Sequence, residues 1–232
     1  MRFAVAALVF VSAQAMALTF TTEEYPPLNY SKDGGKTVTG HASDLVNEML
    51  KRTGIKARVV LYPWKRAYMM AQENKETCVY STTRTEAREH LFKWVGPVAT
   101  DNWVVFANAD SNIKVTALDD LKKLKVTAYQ GDAKAIFLAS KGIATDEAIN
   151  EELNAKKLAA GRVDVWVSGA NSGPWVARDV GVKIKPLFAI QEVEMYLACN
   201  LAVPDSEIDR MNEAIKAIKA DGSYDRFVKS YH

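Results

Sequence analysis

Three hydroxyl residues stand in a row at Ser81, Thr82 and Thr83, and two arginines, Arg84 and Arg88, follow them. They come directly after TCVY (77–80), a run that reads as a short strand. A guanidinium is a planar fork that grips a carboxylate with two parallel hydrogen bonds, and hydroxyls can meet the same anion. In open α/β sheets, ligands lie beyond the carboxyl ends of strands, which is where this stretch falls. Tyr25 and the Gln130-Gly131-Asp132 turn stand at comparable strand ends, and Tyr25 and Trp64 can supply flat apolar walls. The stretch reads as an anion clamp. The alternative is a solvated loop whose hydroxyls cap a helix starting near Thr85, with Glu86 suited to a helix N-terminus.

Other chemistry has little to stand on. No G-x-G-x-x-G or Walker-type loop offers a phosphate cradle. The chain has no C-x-x-C and no H-E-x-x-H, and His41, His90 and His232 lie far apart, so neither a cofactor nor a metal is expected. GANSG (169–173) sets its serine one place too late for a nucleophile elbow. The remaining vocabulary is one of binding.

The elements that must position these residues alternate. Strands are expected at 17–22, 56–62, 77–81, 102–108, 125–129 and 163–168, and again in KIKPLFA and EVEMYLACNLAV. Apolar residues at 45, 46, 49 and 50 have helical spacing, so 42–53 is a helix ended by Gly54. Further helices are expected at 63–73, 117–123, 133–140, about 146–160, within NSGPWVARDVG, and over the last 28 residues with a turn at Asp221-Gly222. After Arg88 the run LFKWV is expected to stop at Gly96-Pro97. The alternation argues α/β with each sheet covered on both faces.

The first residues are a short basic start, an apolar run at 3–13, and Ala15-Met16-Ala17. This is the pattern of a secretory signal cleaved after Ala17. The apolar run is too short to span a bilayer, and the cleavage region has no cysteine to carry a lipid. Removing 17 of the 232 residues leaves 215, enough for one large domain or two small ones. Arg2 leaves with the signal, which takes the formal net charge from +2 to +1. Charges of both signs are interspersed, so nothing favours nucleic acid or insertion into a membrane after cleavage. The two cysteines, Cys78 and Cys199, permit one disulfide in an exported chain, or two buried thiols packing as small hydrophobes.

Several segments occur together in order: EYPPLNY near the start, the step from Gly40 to Asp44, PWKRA at 63–67, STTRTEAR leading to FKWVGP, YQGD at 129–132, and KADGSYDRFVKSY at the end. In that combination the chain resembles the bacterial extracellular solute-binding proteins of family 3, which serve polar amino-acid ABC transporters. The resemblance implies a two-lobed periplasmic-binding-protein-like α/β fold (type II) with two crossing segments. Lobe 1 would hold 18–98 and 195–232, and lobe 2 would hold 102–192. It also implies that Arg88 holds a ligand carboxylate, that Ser81 and Thr83 assist, that Tyr25 stacks on the ligand, and that Gln130, Gly131 and Asp132 close from lobe 2. Trp64 and Arg66 would line the same site, the alternative being that PWKRA is a helix start with Arg66 on the surface. Where amino-acid binders carry an aspartate for the α-ammonium, this chain has Ser168, and the acidic position near the first strand is Thr22, beside Glu23 and Glu24. An ammonium there would lack its charged partner, so a carboxylate or another small polar anion is as fitting a ligand as an amino acid. Cys78 and Cys199 would sit on neighbouring strands; a bond between them needs α-carbons within about 4.4–6.8 Å. The implied function is periplasmic delivery of a small polar ligand to an inner-membrane ABC permease, without catalysis; a monomer is the default. Two rivals are a dehydratase-like enzyme using His90, Glu23 and Asp132, and a sensor component that presents its ligand to a membrane receptor.

Overall fold

The structure is a computed structural model that describes residues 17–231. The expected signal segment, Ala17 excepted, lies outside the described residues.

Two sheets form the frame. The first contains β1 (Leu18–Thr22), β2 (Ala57–Leu61), β3 (Thr77–Thr83), β4 (Lys93–Thr100) and β9 (Glu194–Cys199), in the order β2-β1-β3-β9-β4. The second contains β5 (Trp103–Asn108), β6 (Val126–Thr127), β7 (Val165–Gly169) and β8 (Ile184–Gln191), in the order β6-β7-β5-β8. Helices α1 (His41–Thr53), α2 (Trp64–Glu73), α6 (Asp205–Ala220) and α7 (Ser223–Lys229) accompany the first sheet. Helices α4 (Glu151–Ala159) and α5 (Ser172–Asp179) pack on the second, and α3 (Ala133–Ser140) joins its core through Ala135 and Leu138.

Strand alternation explains the layers, because successive side chains point to opposite faces. On β3, Cys78 and Tyr80 join Leu45, Met49, Leu197 and Met211 in one core, whereas Val79 joins Trp64 and Ala67 on the other face. On β7, Val165 and Val167 face Leu121 and Leu138, whereas Trp166 faces Leu158 and Val176. Central strands buried on both faces read as continuous apolar runs, which is how TCVY and VDVWVS appear in the sequence.

Two differences from the sequence expectation have clear causes. The run that was to end at Gly96-Pro97 continues as β4 to Thr100. Its pairing with β9 shifts register between Val95 and Ala99, and β4 is an edge strand. Pro97 therefore sits at an irregularity where no ladder N–H is required. The helix expected over 146–160 begins only at Glu151, because Asn150 accepts the Leu153 N–H at 2.9 Å and caps it. Thr145 and Ala148 instead bridge to Val126 and Tyr129. The stretches Glu86–Leu91 and Leu118–Lys123 are 3-10 helices.

The sheets are joined by two adjacent crossings, Asp101-Asn102 between β4 and β5, and 192–193 between β8 and β9. They run side by side: the Asp101 N–H donates to Val193 O at 3.4 Å, and the Val193 N–H donates to Asn102 Oδ1 at 3.1 Å. Cys78 and Cys199 face each other across β3 and β9 in a disulfide with S–S 2.06 Å. They are directly opposed partners in an antiparallel pair, and their α-carbons are 3.9 Å apart, closer than the expected range.

Candidate functional site

β3 distorts at its carboxyl end. Its register against β9 shifts between Val79 and Thr82, and Ser81 adopts φ +60°. Ser81 is the non-glycine residue with positive φ among the described residues. A side chain held there costs about 1–3 kcal/mol, strain that clusters at functional positions. Ser81 is buried, and its Oγ has no hydrogen-bond partner.

The two arginines that follow have different fates. Arg84 is tied to Glu89 by two bonds, Nε–Oε2 at 2.7 Å and Nη2–Oε1 at 2.5 Å, and lies over Trp94 and Tyr196. Arg88 is only 6 % exposed. Its Nη1 donates to Thr83 O at 3.2 Å, and its guanidinium lies 4.9 Å from the Tyr68 ring centroid and 5.5 Å from that of Trp64. No carboxylate within ion-pair distance answers Arg88 among the described residues. Arg66 is exposed on α2, over the Tyr62 ring at 4.1 Å.

Trp64 carries the site across to the second lobe. Its Nε1 donates to Gly131 O at 3.1 Å, and its ring packs with Tyr129. Tyr129 in turn meets Glu23, the buried residue after β1. Glu23 Oε2 has no hydrogen-bond partner. Burial first and Asp132 second push the Glu23 carboxyl well above the usual carboxylate range, against the pull of Lys134 and Tyr129.

Beyond Glu23 lies a buried polar cluster. Lys134, the second residue of α3, has a side chain with no exposure. Its Nζ is 3.0 Å from Asp132 Oδ1, 3.3 Å from the Tyr25 hydroxyl and 5.1 Å from the Tyr25 ring centroid. Burial works against its charge, but Asp132 and Glu151 outweigh it and hold the ammonium above the ordinary lysine value. Asp132 also caps α3 by accepting the Lys134 N–H at 2.7 Å. Glu151 accepts from Ser168 Oγ, Asn154 Nδ2 and Trp166 Nε1 at 3.0, 2.9 and 2.9 Å. Asp101, on the first crossing, accepts the Asn171 N–H at 2.7 Å. Backbone and carboxylate meet so closely that a Cβ on Gly169 would lie 1.8 Å from Asp101 Oδ2 and 2.6 Å from the Tyr25 hydroxyl. A neighbouring cavity of about 510 Å³ reaches Glu151 and is walled by Tyr30, Trp175, Glu24 and Glu152.

Arg88, Ser81, Thr83, Trp64, Tyr25, Asp132 and Ser168 are thus buried along the junction of the two sheets. Gln130 and Gly131 stand exposed at its edge, with their N–H groups already donating to Ala148 O and Glu147 Oε2. His90 is exposed on the 3-10 turn after β3. Sequence reasoning gave no role to Lys134, Glu151, Asp101, Tyr129 or Tyr68. The one available signal was Lys134, a lysine just inside an otherwise apolar helix, AKAIFLAS. Glu151 at the first position of a helix reads as solvent-facing, and nothing local marks it as buried.

A family model described as bacterial extracellular solute-binding proteins, family 3, matches residues 18–232. No curated protein matches the chain. Among solved structures, a histidine kinase sensor domain with similarity to periplasmic binding proteins superposes with TM-score 0.84 at 17% identity, covering 93% of this chain and 95% of its own. A mutant of ArgBP from T. maritima gives 0.82 at 17%, with 93% and 94% covered. The GluR0 ligand-binding core from Nostoc punctiforme, in complex with (L)-glutamate, gives 0.80 at 21%, with 92% and 98% covered. At these identities the likeness concerns the fold, which is that of two-lobed periplasmic binding proteins.

Proposed function

The chain belongs to the bacterial extracellular solute-binding proteins of family 3, and we propose that it closes its two lobes on a small carboxylate-bearing solute and delivers it to an inner-membrane ABC permease. The observation that carries this reading is Arg88. A buried guanidinium is costly unless an anion answers it, and among the described residues Arg88 meets the Thr83 carbonyl, the Tyr68 side chain and the face of Trp64, with no carboxylate in an ion pair with it. The remaining donors suit a bidentate carboxylate. The orphan Ser81 Oγ can bond the same ligand, and Thr83, Trp64 and Tyr25 wall it. Asp132, Gly131 and Gln130 would approach from the second lobe. Ligand would shift the open–closed population through its preference for the closed form, with the paired crossings as hinge.

The test is calorimetric titration of the mature chain against carboxylates and amino acids. Arg88→Ala should weaken binding by roughly 100-fold or more, the cost of a buried charge-assisted pair. Arg88→Lys should not restore it, because an ammonium lacks the fork. Wild-type affinity in Arg88→Ala would refute the clamp. Export is part of the reading: N-terminal sequencing of protein from the periplasm should begin at Leu18. Among the described residues no helix is long and apolar enough to cross a membrane. The protein is read as a monomer that binds without turnover; exposed His90 lies on a surface turn, whereas Glu23 and Asp132 are buried.

A second reading has one specific observation in its favour, the fold likeness to a histidine kinase sensor domain. A sensor component would bind the same solute and present it to a membrane receptor. Crosslinking of the ligand-loaded protein in membranes separates the two by whether a permease or a receptor is captured.

A further inference from the structure

We infer that Lys134 is a tethered ammonium that fills the cation place of the cleft, so that the site selects carboxylates lacking an amine. The inference rests on the carboxylate reading above and names the ligand class.

A lysine near a helix start normally runs its stem along the surface and keeps its ammonium in water. Lys134 does the opposite: its side chain has no exposure, and its Nζ points across the junction of the lobes. Asp132 at 3.0 Å belongs to the second lobe, and the Tyr25 hydroxyl at 3.3 Å to the first. The ammonium also lies over the face of Tyr25, 5.1 Å from its centroid. A ligand stacked on Tyr25 would therefore have this charge beside it.

Most of the carboxylate oxygens around Lys134 are already engaged. Asp132 holds the lysine and caps α3. Glu151 accepts from three side chains. Asp101 accepts from the backbone of Asn171. The hydroxyls at the strand ends are used as well: Ser168 donates to Glu151 at 3.0 Å, and Thr22 donates to Tyr80 O at 3.4 Å. A ligand amine entering here would compete with Lys134 for these acids and meet a like charge at close range. In this group Glu23 Oε2 and Asp101 Oδ2 lack a partner. Burial and Asp132 push the Glu23 carboxyl toward the protonated form, in which Glu23 can donate to a ligand oxygen. Arg88 at one end, and Glu23 with Lys134 at the other, suit a ligand with oxygens at both ends.

Matched pairs test this by calorimetry on the mature chain: succinate with L-aspartate, 2-oxoglutarate with L-glutamate, and 4-methylpentanoate with L-leucine. In wild type the member without the amine should bind at least tenfold more tightly. Lys134→Met keeps the length, removes the charge and frees Asp132; the preference should shrink or invert. Glu23→Ala removes the donor and should weaken the preferred ligand by about fivefold or more, the loss of one hydrogen bond. Tighter binding of the amino acids by wild type, or a ratio unmoved by Lys134→Met, overturns the inference and leaves the carboxylate reading standing. Unchanged binding of the preferred ligand in Glu23→Ala overturns the role of Glu23 as a donor to it. If no member of any pair binds, the carboxylate reading falls and the inference with it. Should Lys134→Met fail to fold, as judged by circular dichroism, the wild-type ratio decides, and Lys134→Met/Asp132→Asn, which leaves no lone charge, repeats the comparison.

Discussion

At the scale of single residues, the site separates side chains that look alike in sequence. Arg84 and Arg88 have the same chemistry, yet one is neutralised by Glu89 on the surface and the other is buried with no carboxylate paired to it among the described residues. Ser81 pays a conformational cost to stand where it does, which suggests its own experiment. Ser81→Gly should hold or raise stability by up to about 1 kcal/mol, since glycine adopts positive φ freely but loses more entropy on folding. The same variant should weaken ligand binding, because the orphan hydroxyl is gone. A melt that falls by several degrees would show the φ is not a source of strain. Glu23 makes a pH prediction. Burial, then Asp132, raises its carboxyl, Glu151 adds to this, and Lys134 and Tyr129 oppose it. A carboxyl raised in the folded state binds its proton more tightly than in the unfolded chain. Its contribution is complete below the unfolded value of about 4.3 and is lost as pH rises toward and through the folded value. Glu23→Gln removes that loss, so its melting point should gain on wild type between pH 5 and pH 8. A difference independent of pH would mean Glu23 is ionised in the native state at little cost.

At the scale of elements, two connections fix the first lobe. The disulfide joins β3 to β9 across 121 residues of sequence. Closing a loop of that length restricts the unfolded chain, and reduction should lower the unfolding free energy by about 2–4 kcal/mol, read from urea transitions with and without reductant. An unchanged midpoint would show that the strands hold equally well without the bond. The second connection is the entry to α1. Gly40 has φ +118°, and a Cβ there would stand 2.3 Å from Leu28 O. Gly40 also donates to the Tyr231 hydroxyl at 3.0 Å, which itself donates to Asp44 at 2.9 Å. The spaced glycine and aspartate thus meet the last turn of the chain. Gly40→Ala should cost about 2 kcal/mol or more, against about 1 kcal/mol for Gly34→Ala, whose Cβ meets nothing within 4 Å. Equal losses would mean that the close approach relaxes. Most elements were legible because their periodicity is local: 3.6 in α1 and doubly buried runs in β3 and β7. β4 was not, since Gly96-Pro97 signals a stop and only its partner β9 shows that the strand resumes.

At the scale of the whole molecule, polar contacts among the described residues tie the lobes together. Trp64 Nε1 to Gly131 O and Lys134 Nζ to the Tyr25 hydroxyl both cross the junction. Removing one such hydrogen bond costs about 1 kcal/mol, or roughly fivefold in the open–closed ratio. Trp64→Phe should therefore increase the radius of gyration of the ligand-free protein in small-angle scattering, and saturating ligand should reverse the increase. A radius that ligand leaves unchanged in both wild type and variant would argue against closure by hinge motion.

The sequence by itself determined the alternation of strands and helices, the family, and the stretch from Ser81 to Arg88 as the place to look. These follow from local patterns: periodicity, turn residues, and the chemistry of a few side chains in order. Only the tertiary structure decided which arginine lacks a counter-charge, and that Lys134 and Glu151 turn inward. Burial of a charged side chain is set by what packs over it: Tyr25 of the other lobe beside Lys134, and Ser168, Asn154 and Trp166 around Glu151. Glu23 follows β1, Asp101 lies on a crossing, Asp132 caps α3 and Glu151 starts α4. Nothing in the spacing of those four positions announces that they converge, because two crossings of the chain bring them together.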